Sequence, residues 1–179
     1  MKRIAFIALL FGVVALAAGV EKSRVSRTSM AAMEKSFDGK VTRLWDDNPF
    51  VLLGSTRGVY LEGVGAVFTA EINLATGPTM FGQVELSKEQ VARHKQKKLS
   101  RLPQIREAAR QMMMSAAASL DGVGADEQIV FCLFLSRYPW EDVSGLPSQL
   151  QLQAQKKRLL EVQRAGGAGL EAAIKIVEY

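Results

Sequence analysis

Apolar and polar residues alternate most cleanly from Ala66 onward. Ala66, Phe68, Ala70, Ile72 and Leu74 share one side, while Val67, Thr69, Glu71 and Asn73 share the other. Period two with β-branched and aromatic residues marks a half-buried strand, because successive side chains point to opposite faces. Residues 58–62, GVYLE, read as a partner strand, with Gly63-Val64-Gly65 as a tight turn or bulge between the two. Farther on, residues 129–135, IVFCLFL, are apolar on both sides, the pattern of a central strand covered on both faces. Residues 149–154 alternate Gln with Leu and Ala, which predicts an edge-like strand with one wet face. Residues 173–179 read as a last strand with Ile174 and Ile176 turned inward.

Helical spacing fills the intervals. Met30, Met33, Phe37 and Val41 form one apolar stripe, with Ser29 as its expected cap and the Asp46-Asp47-Asn48-Pro49 run as its end. Gly39 weakens that helix by about 1 kcal/mol relative to alanine. Ser87 followed by Gln90 is a capping box opening a long helical segment. Leu102, Ile105, Ala109, Met112 and Ala116 carry its stripe, with Leu120 close by, and Met112 to Met114 are core filling. Pro103 predicts either two helices or a kink near residues 100–103, and Asp121-Gly122 ends the segment. A short helix at 156–163, with Leu159, Leu160 and Val162 on its apolar side, stops at Gly166-Gly167-Ala168-Gly169. The expected class is α+β: a mixed sheet with helices on one face. Its cadence after the first helix is the β-α-β-β-α-β of a ferredoxin-like unit, with another mixed α+β layering as the alternative.

The first residues bear on compartment. Lys2 and Arg3 precede the apolar run 4–16, and Ala15 and Ala17 occupy the −3 and −1 positions of an A-x-A site. This is the layout of a secretory signal peptide, so residues 1–17 are expected to be cleaved after Ala17. An uncleaved membrane anchor is the alternative, because 4–20 is at the short end of the spanning range. Residues 18–27 then form a disordered lead and residues 28–179 a single α+β domain, periplasmic or secreted. Losing Lys2 and Arg3 lowers the net charge from +5 to +3, only mildly basic. Cys132 is the one cysteine, so the chain has no internal disulfide, and its apolar setting makes a buried, inert thiol the expectation.

The stretch 47–74, DNPFVLLGSTRGVYLEGVGAVFTAEINL, resembles a family of uncharacterised exported bacterial proteins. The similar features are the leader, the NPF segment, the Thr-Arg-Gly turn and the VYLEG-x-GAVFTAE strand pair. The resemblance implies location and architecture. It implies no activity, cofactor or catalytic residue.

Candidate chemistry is sparse. His94 is the only histidine and lies among Arg93, Lys95, Lys97 and Lys98, so a wet surface position is expected, with its pKa lowered by like charge. No G-x-S-x-G or H-E-x-x-H motif occurs, and one His with one Cys cannot build a zinc site. Asp121, Asp126 and Glu127 read as turn and cap residues rather than as a calcium loop. Gly54, Ser55, Thr56, Arg57 and Gly58 form a glycine loop whose N–H groups and arginine can hold an anion, with a plain turn as the alternative. The tract 88–110 holds eight Lys or Arg against Glu89 and Glu107. Its face of Lys88, Arg93, Lys95, Lys97, Lys98 and Arg101 suits anionic lipid or polymer, with a solvated helix face as the alternative. The expected function is an exported, non-catalytic domain acting through contacts with an envelope component or another envelope protein. No cofactor, metal or nucleic acid is expected. The alternatives are a binding module for anionic lipid or polymer on 88–110, and a carboxylate-dependent hydrolase using Glu62, Glu71 or Asp121 near Arg57.

Overall fold

The strand pair is an antiparallel hairpin. β1 (Arg57–Leu61) pairs with β2 (Gly65–Ile72) from Arg57 opposite Thr69 to Leu61 opposite Gly65. Residues 62–64 make the turn, closed by the Val64 N–H donating to the Leu61 carbonyl at 3.0 Å. Gly65 has φ of 130°, and a Cβ there would overlap the Gln128 carbonyl oxygen, so only glycine lets β3 approach. The structure, a computed structural model, describes residues 25–48, 51–77 and 86–179. The expected leader, most of the lead, and Pro49, Phe50 and Pro78 lie outside the described residues. At the end of the lead, Val25 packs against the core and Ser26 caps the first helix.

Among the described residues five strands lie side by side in chain order: β1, β2, β3 (Gln128–Leu135), β4 (Gln149–Gln155) and β5 (Lys175–Glu178). Only β2 and β3 run parallel; every other neighbouring pair is antiparallel. A parallel pair needs a crossover, and the 32-residue α2 (Lys88–Ser119) supplies it. The ferredoxin-like order is not what forms, since that order interleaves strands through a second parallel crossover. Here α3 (Lys156–Arg164) and the one-turn α4 (Leu170–Ala173) only carry the chain back so that β5 pairs antiparallel with β4. β4 is therefore an inner strand, not an edge. Its glutamines are half-buried while Leu150, Leu152 and Ala154 are buried.

The core lies on one face of this sheet. Phe68 and Phe131 stack with ring centroids 4.9 Å apart, and Phe37 of α1 (Arg27–Val41) tilts onto Phe131 at 5.4 Å. Ile72, Ile129, Leu133, Leu150 and Leu152 fill the same layer beneath Ile105, Met112 and Met113 of α2. The opposite face is open among the described residues. Val130 and Cys132 are half-buried there and Phe134 is exposed, so the expected two-sided cover of β3 is one-sided. Burial raises the pKa of the half-covered Cys132 thiol.

Two helix boundaries differ from expectation. Ser26, not Ser29, is the N-cap of α1: its hydroxyl accepts from the Ser29 N–H at 3.0 Å. The helix stops at Val41, where Thr42 closes it, instead of running to Asn48. α2 opens with the Ser87–Gln90 capping box and passes through Pro103 as one helix. Pro103 is exposed, so its ring meets solvent while the continuous helix forgoes one backbone bond. At its far end the buried Lys156 donates to the Leu120 and Val123 carbonyls at 2.8 and 2.9 Å, a cation at a helix C-terminus. Burial lowers the Lys156 pKa, against the pull of Asp121 and Glu127.

Candidate functional site

The glycine loop is a detour in the edge strand. Leu52 bridges Ile72 ahead of the loop and Arg57 pairs with Thr69 after it, so four residues face two. Its inward N–H groups are taken up within the chain. The Thr56 N–H donates to Asp38 Oδ1 at 3.0 Å and the Gly58 N–H to Glu34 Oε1 at 2.7 Å. Arg27 also bonds both Glu34 oxygens, at 2.6 and 2.8 Å. Burial works against ionisation of Glu34, but these bonds outweigh it and hold its carboxyl below its ordinary value. Gly54, Ser55 and Arg57 are exposed, Gly58 is half-buried and Thr56 is buried.

The basic face is largely paired. Lys95 meets Asp142 at 2.8 Å, Lys97 and Arg101 share Asp47, Arg106 meets Glu178, and Arg110 meets Glu107 and Glu171. Arg101 is buried, lies over the Trp45 ring at 4.7 Å and donates to the Leu74 carbonyl at 2.8 Å. The bond from Lys97, reinforced by Arg101, holds the Asp47 carboxyl below its ordinary value. Bonds from Lys95 and Ser144 lower that of Asp142 strongly. Lys88 and Arg93 are exposed. These cations clamp α2 to the rest of the molecule more than they decorate its surface.

His94 and Lys98 stand one helical turn apart and point inward together. Lys98 Nζ donates to both Glu141 oxygens, at 2.6 and 2.7 Å, and to the Ser136 carbonyl at 2.9 Å. The two side chains are 3% and 2% exposed, so this ion pair is shut away from water. Glu141 also engages His94 Nε2 at 3.0 Å, and as a carboxylate it accepts, which places a proton on Nε2. The His94 ring is 10% exposed and not the wet residue expected from sequence. It meets Trp140 edge-on at 4.8 Å, and Trp140 stacks on Tyr138 at 5.4 Å with the planes 4° apart. Tyr138 in turn accepts from Asn73 Nδ2 at 3.1 Å. Burial lowers the pKa of His94 and of Lys98, against the pull of Glu141. His94 is thereby held as a neutral imidazole at neutral pH.

A cleft of about 310 Å³ opens over this cluster, lined by Thr76, Gln90, Arg93, His94, Lys97 and Trp140. Two fixed cations, an imidazole, an amide, a hydroxyl and an indole thus converge on one space. Around it, Arg93, Lys97, Lys98, Arg101 and Arg137 face the carboxylates of Asp47, Glu89 and Glu141, which leaves an excess of positive charge. A small molecule with a negatively charged oxygen group and an apolar portion fits that lining.

The carboxylates considered for hydrolysis do not converge. Glu62 lies in the hairpin turn, and Glu71 lies near the far end of β2, about 20 Å along the strand. Asp121 follows the C-terminus of α2, while Arg57 opens β1. Glu127 is a turn and cap residue: its buried carboxylate accepts from the Gly124 N–H at 2.7 Å, the Gly63 N–H at 3.1 Å and the Tyr60 hydroxyl. Among the described residues no group of three or more His, Cys, Asp or Glu is placed to hold a metal ion, and no helix is long and apolar enough to cross a membrane. No protein-family model, curated protein or solved structure matches the chain.

Proposed function

We propose that this is an exported domain that binds an anionic ligand in the cleft between the first turns of α2 and the β3–β4 connection. The observation that carries it is the convergence of Arg93, Lys97, His94 and Trp140 on one cleft whose surroundings hold more cations than carboxylates. Arg93 and Lys97 hold the charged oxygens, and Trp140 offers its ring to the apolar portion. The buried Lys98–Glu141 pair ties α2 to the loop carrying Trp140, so the cleft is preorganised. Export is supported by the leader at 1–17 and by the resemblance of 47–74 to exported proteins. The chain then works in the envelope by contact, and the basic tract contributes its first turns rather than its whole length.

Phenyl sulfate titrated calorimetrically into the protein is the test. Binding is expected to weaken steeply with salt, and Arg93→Glu is expected to cost at least about tenfold in affinity. Salt-independent binding, or an Arg93→Glu variant that binds as tightly, overturns the reading. Export is checked separately: fractionation should find the chain outside the cytoplasm with an intact mass that starts after Ala17.

A further inference from the structure

His94 has a place in the cleft that charge pairing alone does not use. Glu141 takes Nε2, which leaves Nδ1 as the nitrogen available to a ligand. Glu141 divides its one charge between the ring and Lys98, which holds both its oxygens. From α2, the groups facing His94 are Arg93, with Glu89 beside it, Lys97 and Lys98; from the β3–β4 connection they are Glu141 and Tyr138, with Arg137 close to Lys98. Asp47 lies one step away through Lys97, and the Lys95–Asp142 pair is its own neighbour. Burial outweighs that shared charge and keeps the imidazole neutral.

An oxyanion seated on Arg93 and Lys97 adds a second negative charge beside the ring. We propose that His94 is the third anchor of the bound oxyanion and contacts it as an imidazolium, so that capture of the anion takes up a proton. The proposal rests on the anion-binding reading above and adds its regulation and ligand class. By linkage, an anion that favours protonated His94 is itself bound more tightly as pH falls. The ligand that gains is one whose own charge persists in mild acid, a phosphodiester or sulfate ester. An oxyanion that picks up its own proton forfeits the advantage. Phosphodiesters occur free and as lipid headgroups, and both present the same singly charged oxygens.

His94 is the sole histidine, so its imidazole C–H resonances in a proton NMR pH titration need no assignment. Three probes are used: phenyl sulfate, dimethyl phosphate and phosphatidylglycerol vesicles. With saturating probe the His94 midpoint is expected to move up by about one pH unit, and affinity for phenyl sulfate to improve about three- to tenfold from about pH 7.5 to about pH 5.5. His94→Gln, which keeps an N–H for Glu141, is expected to bind with pH-independent affinity. A midpoint moved by the vesicles but by neither small probe also supports proton uptake, and assigns the anion to a lipid headgroup. A probe that binds while the midpoint stays still and affinity stays flat with pH overturns the proposal alone. Failure of every probe to bind at any pH overturns the anion-binding reading and the proposal with it.

Discussion

Replacing Lys98 by methionine tests the buried pair that organises the cleft. Methionine keeps the aliphatic stem and removes the ammonium, so Glu141 stays behind with its charge and only His94 for a partner. Three bonds disappear, two to the carboxylate and one to the Ser136 carbonyl. An ion pair on the surface contributes about 0–1 kcal/mol, but neither of these side chains is more than 3% exposed. For a pair so enclosed, removing one partner costs about 3–5 kcal/mol, because an uncompensated buried charge remains. At about 2–4 °C per kcal/mol for a chain of this size, the melting temperature should fall by about 10 °C. Glu141→Gln leaves the converse orphan and should cost a similar amount. The double variant leaves no orphan charge, so its loss should fall short of the sum by about 2 kcal/mol or more. Urea unfolding followed by circular dichroism measures all four proteins at one pH. Single losses under about 1 kcal/mol, or strict additivity in the double variant, would refute the reasoning.

Gly65→Ala should lose at least about 3 kcal/mol, since its Cβ meets the Gln128 carbonyl at a backbone angle of 130°. A melting temperature within about 2 °C of wild type in thermal unfolding would contradict this. For His94 the folded-state pKa lies below its ordinary value, so below that value the unfolded chain binds more protons. Stability should be full above it and decline as pH drops from about 7 toward about 5, and His94→Gln should flatten that decline. Glu34, with its carboxyl lowered, contributes stability above the ordinary carboxylate range that is lost at still lower pH, on a limb His94→Gln leaves in place. Denaturation midpoints across this range check both limbs.

The layered body was legible because burial imposes its period directly. Ala66, Phe68, Ala70 and Ile72 alternate and are buried as the alternation requires, and the stripe from Leu102 to Ala116 faces the core throughout. What escaped was pairing order, since a short helix such as α3 reads alike whether the chain returns parallel or antiparallel. Whether β3 is covered on one face or two is illegible for a related reason. Apolar Val130, Cys132 and Phe134 look the same in sequence whether a layer covers them or not. The site escaped because His94 and Lys98 meet Glu141 only across 47 and 43 residues of chain. A signal was nevertheless present: extending the Ile105 stripe backward in steps of three and four reaches Arg101, Lys98, His94 and Val91. Cations on a core-facing stripe need buried partners, which a reading of 88–110 as one basic face passes over.

The most direct measurement is a map of backbone amide shifts as phenyl sulfate is added. Binding in the cleft predicts changes concentrated at 90–98 and 137–142, with residues 54–58 unmoved. Changes centred on the Gly54-Ser55-Thr56-Arg57-Gly58 loop, with 90–98 silent, would contradict it.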